Sequence, residues 1–279
     1  MKLGISCEST SDLEKNYIIK EDIRVIPLAI HFGTEEYLDG VNISPSDIFN
    51  RVKEGYDFPK TSARSVGDYI EFFNEMKKEY DTILHIAFSS ELSCSYQNAI
   101  LASQEVDGVY VVDSKSLSSG HGLVVMTAVE ERAKENDISQ IISNIENIVP
   151  KVSTTFIINS MNYLNKGGRC SAIASFAASL LKIKPSIKLV DGKMAVGKKY
   201  IGKINEEVLR YVDDTLKDNP NCSKDKIYLV YSSQDLIDTE KVKNKLQSYG
   251  FEKIYECFSG CTISTHCGPN TLGIMFINK

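Results

Sequence analysis

From Leu3 to Ile277 short apolar runs alternate with longer amphipathic stretches, and a chain punctuated in this way folds most simply as α/β. Residues 3–7 and 25–32 read as strands, and Gly33-Thr34 turns the second into a hairpin with 36–38. Ser44-Pro45-Ser46-Asp47 supplies a cap, a proline at the first helical position and an early acidic residue, so a helix follows over 48–54. Val66, Ile70, Phe73 and Met76 share one face of a helix over 66–80. Strand 82–88, helix 93–104, strand 109–112 and helix 117–135 continue a series of βαβ units, which predicts parallel strands joined by right-handed crossovers.

Beyond residue 135 the texture changes. A helix over 138–149 starts after Asp137, stops at Pro150 and reads as a connector, which divides the chain into domains of residues 1–150 and 151–279. A strand over 154–159, a short helix over 161–165 halted by Gly167-Gly168 and a small-residue helix over 172–181 follow. Between 186–190 and 193–196, Asp191-Gly192 gives the clearest hairpin signal in the chain, because that pair accepts the positive φ angles of a tight primed turn. Helix 205–217, strand 227–231, helix 239–249 and strands 253–258 and 272–277 complete the pattern. The first domain is therefore expected to hold a mostly parallel sheet with helices on both faces, and the second a mixed sheet with helices.

A formal net charge of -5 and a pI near 5.5 argue against nucleic acid as a partner, since phosphate neutralisation needs a concentrated basic face. No apolar run reaches a membrane span, and Met1-Lys2-Leu3-Gly4 leads straight into strand-like sequence, so no stable membrane insertion and a cytoplasmic location are expected. Seven cysteines without paired spacing read as reduced thiols. Cys257, Cys261, His266 and Cys267 supply four candidate zinc ligands, but they lie in strand and turn context without a second CxxC knuckle, so no metal or other cofactor is expected.

Function concentrates where predicted strands end in hydroxyl-rich loops. Strand 82–88 runs into Ser89-Ser90-Glu91-Leu92-Ser93-Cys94-Ser95-Tyr96-Gln97, at a position where the next helix points free N–H groups and its positive end toward a crevice. No full positive charge lies in the run, so a carboxylate suits it better than a polyphosphate; Ser93 read alone is equally a helix cap. Glu8-Ser9-Thr10-Ser11-Asp12, Lys60-Thr61-Ser62-Ala63-Arg64-Ser65 and the run from Asp113 to Gly122 have the same character, and each also has a reading as caps and turns. Arg169 beside Gly167-Gly168 and His266 before Gly268-Pro269 read either as site residues or as a surface ion pair and a hydrogen-bonded turn histidine.

Taken together, Cys7 to Asp12, Lys60-Thr61-Ser62, Ser89 to Gln97, Val112-Asp113-Ser114, Tyr163-Leu164-Asn165-Lys166-Gly167-Gly168-Arg169 and His266-Cys267-Gly268-Pro269 resemble, in order and spacing, the motifs of the DegV family of bacterial proteins. The resemblance covers essentially the whole chain. It implies two α/β domains with a lipid-binding tunnel between them, holding a long-chain fatty acid as ligand, in a non-catalytic, FakB-like acyl carrier that presents its cargo to the catalytic subunit of a fatty acid kinase for acyl phosphate formation. It implies that Thr61 and Ser93 hold the carboxylate, with Ser62 beside Thr61, the backbone N–H of Cys94 as a further donor, His266 completing the polar network and Arg169 near the partner or the transferred phosphate. Energetically the two ends divide the work: aligned donors make carboxylate burial tolerable, and at about 0.8 kcal/mol per methylene a tail of a dozen or more carbons gains on the order of 10 kcal/mol before ordering costs. Residues 156–158, 176–181 and 187–189 have the character of tail contacts, and ordinary core packing explains them as well.

The chain departs from the usual family pattern, with Glu8 where aspartate is usual, Ala63-Arg64 for Gln-Pro, Cys94 for glycine, Cys267 for threonine and Asn270 for glycine. A different class of function, a hydrolase with Ser93 as nucleophile and His266 as base, lacks the G-x-S-x-G elbow at Leu92-Ser93-Cys94. An intrinsic kinase lacks a G-x-x-x-x-G-K-[ST] loop.

Overall fold

The computed structural model describes residues 2–134, 137–169 and 183–279. Strands β1 (Leu3–Glu8), β2 (Ile23–Ile26), β6 (Thr82–Ala87) and β7 (Val109–Asp113) form one sheet in the order β2-β1-β6-β7, with every pair parallel. Alternation along β6 divides its side chains between two cores. Ile83 packs with Tyr69 and Phe73 of α3 (Val66–Lys77) and Ala99 and Ala102 of α4 (Ser95–Ser103), whereas Leu84 and Ile86 face Leu123 and Val124 of α5 (Ser118–Arg132) and Ile141 of α6 (Ile138–Ile148). Helices thus cover both faces, as the βαβ reading requires.

The expected strand over 25–32 is instead two strands in two sheets. Pro27 offers no N–H to a ladder, and the Leu28 N–H turns aside to Ser9 Oγ at 3.1 Å. The chain then enters a separate antiparallel sheet, β4 (Glu35–Leu38), β3 (Ala29–Phe32) and β5 (Lys60–Ser62) in that order across the sheet. Helices α1 (Lys15–Lys20) and α2 (Pro45–Lys53) flank this region, and Ser44 and Asp47 form a reciprocal capping box on α2.

A six-stranded mixed sheet follows, in the order β10 (Lys193–Ile201), β9 (Ile183–Val190), β8 (Val152–Ile157), β13 (Leu272–Ile277), β11 (Lys226–Tyr231) and β12 (Lys253–Phe258). The β11/β12 pair is parallel and the other described pairs are antiparallel. Asp191 and Gly192 take φ angles of 51° and 81° at the β9/β10 turn, as the hairpin reading predicts. Val208, Tyr211 and Val212 of α8 (Ile204–Asp218) and Val242 and Leu246 of α9 (Thr239–Ser248) cover one face. The short helices α7 (Asn162–Gly167) and α10 (Cys261–Cys267) complete the described elements. The expected helix over 172–181 lies outside the described residues.

Helix α5 lies between the two large sheets. Its core takes in Ile5 and Leu84 from one side and Tyr228, Val230 and Met275 from the other. Two glycines permit the close seating: a Cβ on Gly120 would meet Thr154 Oγ1 of β8 at 1.9 Å, and one on Gly122 would meet the Ser11 carbonyl at 2.6 Å.

At the carboxyl end of the parallel sheet a buried ionic cluster ties β1 to β6. Glu8 Oε1 accepts from Tyr69 Oη at 2.8 Å and pairs with His85 Nε2 at 3.2 Å, while Oε2 accepts the Phe88 N–H at 2.9 Å and lies 3.9 Å from His121 Nε2. Burial pushes the Glu8 carboxyl up, but His85, His121 and the Tyr69 hydroxyl outweigh it and hold it at about 2, while burial lowers His121. Glu8→Gln is therefore expected to lower the unfolding free energy at pH 7 by about 3 kcal/mol, because it breaks a buried charged network from one side. A carboxyl depressed in the folded state stabilises above its unfolded pKa of 4.5 and loses that contribution as pH falls toward 2, so the gap between wild type and variant should close across that window. Urea titrations at pH 7 and pH 3 measure it, and a gap that stays constant rejects the charge-based account.

Candidate functional site

Between the two large sheets lies a cavity of about 780 Å³, measured out through its opening to solvent. Its walls come from both halves of the chain. Leu28, Phe88, Leu92 and Leu117 line it from the first half, and Phe156, Met194, Val230 and Met275 from the second. Of the expected tail contacts, Phe156 borders the cavity, Ile157 turns to the opposite core against α8, Ile158 and Ile187 are buried beside Phe88 and Leu92, and residues 176–181 fall outside the described residues.

Thr61, Ser62, Ser93, Arg169 and His266 all border this one cavity. Thr61 stands on β5 and His266 in the last turn of α10, and their side chains meet with Oγ1···Nε2 at 2.8 Å. This pair joins residues 205 positions apart. Burial, with the Arg169 charge adding to it, lowers the His266 imidazole to about 4, so it is neutral near pH 7. Ser62, the next residue of β5, bonds instead to His31 Nε2 at 2.9 Å. Thr61 and Ser62 therefore differ in kind, as alternation along a strand dictates.

Ser93 sits where the loop after β6 enters α4. Its Oγ accepts the Ser95 N–H at 3.1 Å and lies 2.9 Å from Ser95 Oγ. Both readings of Ser93 thus hold at once: it satisfies a helix-end donor and it borders the cavity. The helix begins later than the sequence suggests, at Ser95, with Cys94 as its N-cap residue. Cys94, whose backbone N–H the resemblance implies as a donor, is exposed and is not among the residues that line the cavity. Arg169 is exposed while bordering the cavity, which puts it at the rim, and its Nη1 donates to the Gly167 carbonyl at 2.9 Å. Among the described lining residues it carries the one full positive charge.

The stretch expected as strand and turn around Cys261 is the helix α10. Its cysteine and β-branched threonines are poor helix formers, so local propensity hides it. Its first N–H groups are met from the first half of the chain: Asp12 Oδ1 accepts from Gly260 at 2.8 Å, Asp39 Oδ1 from Cys261 at 2.7 Å and Asp39 Oδ2 from Thr262 at 3.0 Å. Asp39 carried no sequence signal, and Asp12 stood only as the end of a polar cluster. The four residues considered for zinc go separate ways, with Cys257 Sγ on Ser119 Oγ, Cys261 Sγ on the Ile43 carbonyl, Cys267 Sγ toward the Gly268 carbonyl and His266 on Thr61. Among the described residues no group of three metal-ligating side chains forms.

Chemically, the cavity presents hydroxyls, among them those of Thr61, Ser93, Ser118 and Ser259, a neutral imidazole and a rim guanidinium, set among apolar side chains. Such a site can hold a small anionic group attached to a long apolar body. Ser93 and His266 are not paired as nucleophile and base, because Ser93 bonds to Ser95 and His266 to Thr61. Among the described residues no helix is long and apolar enough to cross a membrane.

Comparison with known proteins agrees with this geometry. The family model described as an uncharacterised protein of the DegV family matches residues 2–279. A DegV domain-containing protein of Clostridium acetobutylicum is 31% identical over 280 residues, covering 100% of this chain and 99% of the relative. A DegV family protein of Thermus thermophilus, whose structure is described as fatty acid binding, superposes with a TM-score of 0.92 at 27% identity and covers 100% of both chains. A stearic acid-binding protein of Eubacterium ventriosum superposes with a TM-score of 0.83 at 26% identity, over 99% of this chain and 98% of that one. The chain belongs to the DegV family.

Proposed function

We propose that this protein is a cytoplasmic carrier that encloses one long-chain fatty acid between the units of residues 1–150 and 151–279, and presents it to the catalytic subunit of a fatty acid kinase for acyl phosphate formation. The observation that carries the reading is the amphipathic cavity, whose lining combines apolar side chains such as Phe88, Leu117, Phe156 and Met275 with Thr61, Ser93 and His266. Fatty acid binding by similar DegV family structures supports the class of ligand. The carboxylate accepts hydrogen bonds from Thr61 and Ser93, Ser62 steadies β5 through His31, and the tail lies along Phe88, Leu117, Phe156 and Met275. Arg169, at the rim, is suited to meet a phosphate or the kinase subunit as the acyl group is phosphorylated. The chain itself takes no cofactor in this reading, and the phosphoryl donor belongs to the partner.

Affinity then divides as the chemistry of the ligand does. Burial of methylenes provides most of the attraction, and the hydroxyls offset the cost of removing a carboxylate from water. Native mass spectrometry of the purified protein, followed by lipid extraction, should find one fatty acid per chain. Thr61→Ala with Ser93→Ala removes two bonds to a charged group, each worth roughly 1.5–3 kcal/mol, so retention should fall by well over tenfold while the folded state persists. Unchanged lipid content in that double variant would defeat the head-group assignment. Calorimetry should show no ATP binding by this chain alone, and acyl phosphate should appear only when a fatty acid kinase subunit and ATP are added; tight ATP binding here would overturn the division of labour.

A further inference from the structure

His266 makes its bond to Thr61 through Nε2, and among the described residues its other ring nitrogen is buried without a partner. That nitrogen lies against α7. A Cβ built on Gly167, the last residue of α7, would stand 2.1 Å from Nδ1, 3.0 Å from Cε1 and 3.2 Å from Cγ, so the imidazole occupies the space a side chain would need. The seating is reciprocal. Gly268, immediately after α10, has a φ of 74° and lies against the Tyr163 ring of α7, where a Cβ would meet Cδ2 at 2.6 Å. Each of the two short helices therefore gives the other a glycine to lie against.

The tautomer follows from this packing. A neutral imidazole carries one proton. With that proton on Nδ1, an N–H donor would be buried with no acceptor among the described residues, and Thr61 would have to give its own hydroxyl proton to Nε2. With the proton on Nε2, the ring donates to Thr61 Oγ1 and the Thr61 proton is free to point elsewhere.

We infer that Gly167 is a positioning residue of the ligand site: by leaving room for the His266 ring it sets the Nε2–H on Thr61 Oγ1, which turns the Thr61 hydroxyl proton toward the cavity as a donor for a carboxylate. The inference rests on the fatty acid reading for the identity of the carboxylate, and on geometry alone for the ring. A methyl group at residue 167 must displace the ring by roughly 1 Å to reach ordinary contact, and the ring has Thr61 at its other edge. The displacement either drives Nε2 into Thr61 or swings it off the hydrogen-bond axis. Helix propensity predicts the opposite sign, because alanine is a better helix former than glycine, so a loss on Gly167→Ala cannot be charged to the α7 backbone.

Two readouts test this. In the ligand-free wild type, ¹⁵N shifts of the His266 ring, assigned against His266→Ala among the four histidines, should show Nε2 protonated and Nδ1 bare. In competition binding with palmitate, Gly167→Ala should weaken affinity by roughly tenfold or more, and should add little to the loss caused by Thr61→Ala, since both remove the same donor. In a His266→Ala background the change at residue 167 should be harmless. A proton on Nδ1, wild-type affinity in Gly167→Ala, or an equal loss with and without the imidazole would each overturn the proposal. Should Gly167→Ala fail to fold, folding of the Gly167→Ala/His266→Ala pair supports the steric account and its failure overturns it. A wild type that takes up no palmitate would sink the fatty acid reading, while the nitrogen shifts and the pair of variants still decide the seat of the ring.

Discussion

Two carboxylates from the first half of the chain hold the helix on which the polar end of the cavity depends. Asp12 and Asp39 are both buried, and between them they accept the N–H groups of Gly260, Cys261 and Thr262, three of the donors that the start of a helix leaves without partners. A carboxylate oxygen accepting such N–H groups, as Asp39 does, makes charge-assisted bonds favoured by the helix dipole, and with the Asp12 bond this compensates for a segment of weak intrinsic propensity. Burial, with Asp39 nearby, pushes the Asp12 carboxyl up to about 8, so it keeps its proton near pH 7. Ser118 donates to Asp12 Oδ2 at 2.5 Å, which joins the start of α5 to the same clamp. Without this clamp nothing local would hold Cys261–Cys267 as a helix, and His266 would have no fixed approach to Thr61.

The opposite wall of the cavity is built by the same logic. Glu8 accepts the N–H of Phe88, the residue at which β6 gives way to the loop carrying Ser93, and its other oxygen accepts from Tyr69, which in turn interacts with Ser95 beside Ser93. Glu8, Asp12 and Asp39 do not line the cavity, and their oxygens are taken up by N–H groups, histidines and hydroxyls. What faces inward is a layer of neutral dipoles, which a negatively charged ligand group can approach without meeting a bare carboxylate.

Much of this architecture was legible because its signals are local. The capping box at Ser44 and the Asp191-Gly192 turn depend on neighbours a few residues away, and their sequence patterns state them directly. The division of residues 25–32 between two sheets turned on Pro27 and on a bond from Leu28 to Ser9, and the second of these is tertiary. Helix α10 escaped notice for the same reason, since Asp12 and Asp39 lie more than 200 residues upstream of it. Motif resemblance named Thr61, Ser93 and His266, but no spacing rule could say that Thr61 meets His266 while Ser62 turns to His31. That distinction comes from the strand pleat and from how β5 sits against α10.

The departures from the usual family pattern take on physical meaning in this frame. Asn270 stands at φ 57°, a left-handed position that asparagine tolerates better than most side chains, and its Oδ1 accepts the Leu236 N–H, so replacing glycine there gains a bond rather than strain. Arg64 pairs with Asp68 at 2.8 Å and lies 3.8 Å from Glu36, which directs its charge to α3 and β4 instead of to Thr61. Cys94 is exposed, and Cys267 is buried beside the cavity wall with its thiol toward the Gly268 carbonyl. Glu8 uses its extra methylene to span from β1 to the Phe88 N–H and the Tyr69 hydroxyl together. Asn270, Arg64, Cys267 and Glu8 each have partners of their own, and none of these partners is the Thr61–His266 pair. A binding site whose geometry rests on backbone seats and buried clamps can therefore drift at its margins while its central hydrogen bond keeps the same two residues in register.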